Sequence, residues 1–95
     1  MRFKVLRICQ SEGHSAVPLE VVRFDLEKAS VTLLEAGYEV SPSEVMLTAY
    51  KDGVEVTLYV NGRLMIEPAR SKEVASEIAR YFYDLIEGAR EAGST

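Results

Sequence analysis

The dipeptides Asp52-Gly53 and Asn61-Gly62 constrain this chain more than any other feature. Asp-Gly and Asn-Gly favour the left-handed backbone of tight hairpin turns, and here the runs around them are rich in Val, Leu, Thr and Tyr, which favour strands. Residues 45–67 therefore read as three consecutive antiparallel strands, over 45–50, 54–60 and 63–67. A two-residue turn at Asp52-Gly53 pairs Ala49 with Val56, Leu47 with Leu58 and Val45 with Val60, so that one face is uniformly apolar. The same kind of turn at Asn61-Gly62 would bring Arg63, Met65 and Glu67 onto that face. A three-residue turn with Gly62 as a left-handed bulge pairs Leu58 with Leu64 and Val56 with Ile66 instead, and the face stays apolar. The bulged turn is the expected one. The opposite face then carries Met46, Thr48, Tyr50, Glu55, Thr57, Tyr59, Arg63, Met65 and Glu67.

A helix follows the meander, with Ser71 as N-cap, Glu73 in its first turn and a stripe of Val74, Ile78, Tyr81 or Phe82, and Leu85. Gly88 is placed to end it, and residues 89–95 read as a frayed tail. Before the meander, Asp25 is a good N-cap for a helix from Leu26 to Ala36, with Gly37 as the residue beyond its end. Residues 19–24 read either as a second strand, for which Val21, Val22 and Phe24 argue, or as the opening of a longer helix on the stripe Leu19, Val22, Leu26, Ala29, Leu33 and Ala36. Strand then helix is preferred. Residues 3–9 are strand-like, 10–15 a polar loop containing His14, and 38–43 a connection containing Pro42. The fold class is α+β: an antiparallel sheet of four to five strands with two helices on one face, in one domain spanning residues 1–95.

Composition narrows function mainly by exclusion. No apolar run approaches the roughly 20 residues that cross a bilayer, and the charged, alternating start is unlike a signal peptide. A membrane partner is therefore not expected, and a cytoplasmic location is. Cys9 is the single cysteine, which fits a reducing compartment, and it reads as a small buried residue rather than a reactive thiol. One Asn and one Gln in the whole chain hint at a thermophilic source, because thermolabile amides are depleted there. Net charge is −4, against a general phosphate-coating role, although Arg2, Lys4 and Arg7 leave the N-terminal segment locally basic.

The order of elements resembles one half of the TATA-binding protein fold and the related N-terminal substrate-binding domain of type-three bacterial ribonuclease H. The residues that carry the likeness are Asp25-Leu26-Glu27-Lys28, Gly37-Tyr38 with Pro42, the run from Leu58 through Asn61-Gly62-Arg63 to Ile66, and Ser71, within residues 19–87. The resemblance implies a curved sheet with helices on one face and nucleic acid on the other, the DNA-facing positions falling on Thr57, Tyr59, Arg63, Met65 and Glu67. It makes Tyr59 an aromatic wedge and Arg63 a phosphate contact. Glu67 departs from the small hydroxyl residue of that family, Glu55 lies opposite it, and the groove-reading asparagines are not matched. A single half would have to dimerise or join a partner.

No nucleophile–base pair, metal-ligand spacing or nucleotide-binding glycine pattern is present in the sequence, so neither catalysis nor a metal or cofactor is expected. His14 reads as a solvated loop residue. The open sheet face is the candidate site, with Met46, Tyr50, Thr57, Tyr59, Arg63 and Met65 as its binding residues. The leading expectation is a non-enzymatic module that self-associates, or docks on a protein partner, through this face or a sheet edge. The runner-up is a dimer that binds nucleic acid directly, with Arg70 and Lys72 as further phosphate contacts.

Overall fold

The computed structural model describes residues 1–8 and 12–91, so Cys9 and the last four residues lie outside it. In chain order the elements are β1 (Phe3–Arg7), β2 (His14–Pro18), α1 (Leu26–Glu35), β3 (Glu39–Pro42), β4 (Met46–Lys51), β5 (Val54–Tyr59), β6 (Leu64–Glu67), α2 (Lys72–Ile86) and a 3-10 turn, Glu87–Ala89. The strands form one antiparallel sheet in the order β1-β2-β6-β5-β4-β3.

The two glycine turns set the centre of this sheet. Asp52 and Gly53 take positive φ, 53° and 82°, the pair of left-handed residues that a type I′ turn requires. Leu47 accordingly faces Leu58 and Ala49 faces Val56, and the Val60 N–H donates to the Val45 carbonyl at 3.1 Å. Gly62 has φ 88°, and beyond it Leu58 faces Leu64 and Val56 faces Ile66, the register of the bulged turn. Leu47, Ala49, Val56, Leu58, Leu64 and Ile66 are all buried on one face.

The sheet has six strands rather than four to five, and its outer members differ from expectation. The second strand is His14–Pro18, not residues 19–24, of which Phe24 makes only an isolated bridge to Arg90. Intrinsic preference pointed to the Val-rich run, but pairing decides: β2 lies between β1 and β6 with Val5 facing Ala16 and Ala16 facing Leu64. Val22 and Phe24 are buried for a different purpose. They plug the end of the sheet against Gly62, where a Cβ would lie 2.7 Å from Val22 and 3.2 Å from Phe24. His14 is correspondingly a buried strand residue on the helix side, 2% exposed, and not a solvated loop residue. The connection expected near Pro42 is the short edge strand β3, with Val40 facing Ala49.

Both helices cover the same side of the sheet, α1 over β3 and β4 and α2 over β1, β2 and β6. Asp25 caps α1 by accepting from the Glu27 and Lys28 amides at 3.0 and 3.2 Å, and Ser71 caps α2 through the Val74 amide at 3.1 Å. The buried stripe of α2 is Ala75, Ala79, Phe82, Tyr83 and Ile86, rotated from the expected one, which leaves Tyr81 half-exposed. After α2 the chain is still tied to the body. Ala89 is buried and accepts from the Asp25 amide at 2.7 Å, and the Glu91 amide donates to Arg23 at 2.8 Å. No helix among the described residues is long and apolar enough to cross a membrane.

Candidate interaction surface on the open sheet face

Because a strand alternates its side chains and both helices lie on one side, every second strand residue projects from the uncovered side. Cross-strand pairing arranges those residues in three rows perpendicular to the strands. The central row is neutral: Leu6, Ser15, Met65, Thr57, Thr48 and Ser41. On one side of it Glu39 faces Tyr50, Tyr50 faces Glu55 and Glu55 faces Glu67. On the other, Met46 faces Tyr59, the Tyr59 amide donates to the Arg63 carbonyl at 2.9 Å, and Lys4 faces Val17.

The face is thus polar in a literal sense, with three carboxylates along one margin and Lys4 and Arg63 along the other. Glu55 directly opposite Glu67 is a like-charge cross-strand pair, an arrangement that costs a sheet stability. Apolar and aromatic groups lie between and beside the charges. Leu6 and Tyr50 are each 47% exposed and Met46 36%. Arg63 lies across the neutral row, its Nε donating to Ser15 Oγ at 2.9 Å, and Ser15 is thereby only 2% exposed on an otherwise open face.

Met46, Tyr50, Thr57, Tyr59, Arg63 and Met65 all lie on this one surface, as the register argument required. Arg70 and Lys72 do not join it: Arg70 is in the connection after β6, and Lys72 opens α2, which packs on the opposite side. Lys4, Leu6, Ser15, Val17, Glu39 and Ser41 also belong to the surface and were missed. The alternation of Lys4 and Leu6 around buried Val5 was the one signal in the sequence, and it covered only the β1 pair.

The remaining hollows offer little chemistry. A 380 Å³ groove on the helix side is lined by Tyr38, Lys51, Asp52, Val54, Ile78 and Tyr81 among others. Its amine is engaged, with Lys51 Nζ donating to the Ala36 carbonyl at 2.8 Å and lying 5.2 Å from the Tyr38 ring centre. A shallow hollow at the acidic margin of the open face is lined by Glu12, Tyr50, Gly53, Glu55, Glu67 and Pro68. Among the described residues no group of three His, Cys, Asp or Glu is placed to hold a metal ion.

Comparison of the chain with protein-family models, with curated proteins and with solved structures finds no match. The function therefore has to be argued from the surface itself. Both sheet edges are poor docking templates. β3 is four residues long and ends in Pro42, and β1 carries Lys4 and Arg7 with Arg2 just before it, so two β1 edges would bring cations together. Short, charged or proline-bearing edges are the usual means of preventing sheet extension.

Proposed function

We propose that this chain is a non-enzymatic binding module that self-associates through its open sheet face. The observation that carries the reading is the one-sided architecture: a six-stranded sheet with both helices on one side and Met46, Tyr50, Tyr59, Met65 and Leu6 on the other. Tyr and Met are enriched in the cores of protein interfaces. The Glu55–Glu67 pair supports the same reading, because a local arrangement unfavourable to the isolated sheet is characteristic of functional surfaces. The guarded edges favour face over edge.

Direct nucleic-acid binding is the weaker reading. Glu39, Glu55 and Glu67 outnumber Lys4 and Arg63 on the very face that would meet phosphates, and phosphate contacts supply most of such affinity. The likeness to half of the TATA-binding protein fold is part of the proposal in its architectural sense alone, supported by the antiparallel sheet with helices on one side.

Sedimentation velocity from micromolar to millimolar protein tests the proposal, with Thr57→Arg placed at the centre of the face. Concentration-dependent association that Thr57→Arg abolishes supports it. A monomer at every concentration sinks it. Anisotropy with labelled DNA and RNA, at low and physiological salt, would move the reading to nucleic acid if binding is salt-sensitive and lost in Arg63→Glu.

A further inference from the structure

From the row pattern we infer that the face binds a second copy of itself about a two-fold axis that runs along the neutral row, perpendicular to the strands. The inference rests on the self-association reading and adds to it the symmetry axis and the register. Two sheets packed face to face keep their strands within about 30° of one another and lie about 10 Å apart. Only two kinds of two-fold axis in the interface plane satisfy this, one perpendicular to the strands and one parallel to them.

Charge distinguishes the two. An axis along the row Leu6–Ser15–Met65–Thr57–Thr48–Ser41 leaves each strand over its own copy and exchanges the two margins. Glu67 then meets Arg63 of the partner, and Arg63 meets the partner's Glu67, because both lie on β6 or at its start with Met65 between them. Met65 packs on Met65, and Tyr50 and Glu55 lie over the row of Met46 and Tyr59. The alternative axis, parallel to the strands, keeps each margin over itself. It would gather Glu55 and Glu67 from both copies into one cluster of four carboxylates. Such like-charge contacts strongly disfavour an interface.

The size of the face is consistent with a specific but modest dimer. Six strands about 4.8 Å apart and three side-chain rows give roughly 500 Å² per copy, or about 1,000 Å² in total, which is the lower bound for a specific interface. The arrangement also accounts for the Glu55–Glu67 pair, whose repulsion in one copy is relieved by the partner's Arg63.

A charge swap tests the register. Glu67→Arg alone and Arg63→Glu alone each place two like-charged pairs in the homodimer, and each is expected to weaken dimerisation at least tenfold by sedimentation. An equimolar mixture restores opposite charges at both positions, so it should recover wild-type association within about threefold and appear as a heterodimer in native mass spectrometry. Since Arg63→Glu also removes the bond to Ser15, cross-linking provides a second readout in a Cys9→Ser background. With a short bis-maleimide, Leu6→Cys copies should link to one another. The parallel axis instead brings Leu6 over Ser41 of the partner, so a dominant mixed product from Leu6→Cys and Ser41→Cys protein overturns the proposed register. An unrescued mixture, with a wild-type dimer still broken by Thr57→Arg, overturns the register and leaves the binding-module reading standing. A monomeric wild-type protein overturns both.

Discussion

Gly62 shows how one residue can tie the turn, the core and the open face together. Its φ of 88° suits a residue without a Cβ, and a Cβ there would lie 2.7 Å from Val22 and 2.9 Å from Pro18. Gly62→Ala is therefore expected to cost about 2–4 kcal/mol, the sum of backbone strain and overpacking. Gly53→Ala, at φ 82° but with open space around it, should lose only the backbone part, about 1 kcal/mol. Urea denaturation of the two variants checks the difference. Ser30 presents the opposite case. It is buried in α1 and its Oγ has no hydrogen-bond partner among the described residues. Ser30→Ala removes an unsatisfied hydroxyl and introduces the best helix former, so stability should rise by about 1 kcal/mol. For a domain of this size that appears as a melting temperature roughly 4–8 °C higher.

Among the elements, α2 connects the sheet to its bulge through Tyr83. The phenol donates to the Gly62 carbonyl at 2.5 Å, with the Ala16 carbonyl oxygen 3.4 Å away, while the ring lies 5.1 Å from that of Phe3. Tyr83→Phe leaves the Gly62 carbonyl short of a donor and should cost about 1–3 kcal/mol. Burial also pushes the Tyr83 phenol well above its ordinary value of 10.0. Burial, followed by the nearby Tyr81 and Asp52, raises that of Tyr38 as well. A folded state that holds the proton more tightly keeps its full stability below pH about 10. Above that the unfolded chain ionises first, and stability falls with rising pH. Denaturation between pH 8 and 11 should show that decline, and Tyr83→Phe, starting lower, should show a shallower one.

For the whole molecule, the testable quantity is coupling between folding and association. Any species that binds only the folded state stabilises it by mass action. If the open face is buried in a dimer, the melting temperature must rise with protein concentration, and the dependence should vanish in Thr57→Arg. Added salt should weaken association only in part, because the opposed charge margins are screened while burial of Met65, Tyr59 and Met46 is not. Calorimetry over a hundredfold range of concentration, at low and high salt, measures both effects.

The sequence alone determined the meander, its register and the six expected face residues. That information is local: Asp52-Gly53 and the Gly62 bulge fix which residues face each other, and one misplaced register would put Arg63, Met65 and Glu67 in the core. The same local chemistry marked Asp25 and Ser71 as helix starts. Tertiary structure decided what rests on long-range pairing. The segment His14–Pro18 has modest strand preference and becomes a strand because β1 and β6 flank it, while the Val-rich run that looks more strand-like serves as a plug against Gly62. With β2 misplaced, the contributions of Lys4, Leu6, Ser15 and Val17 to the open face were out of reach. So was the division of that face into an acidic and a basic margin, since a row that crosses six strands is made by residues far apart in the chain and brought side by side only by the fold.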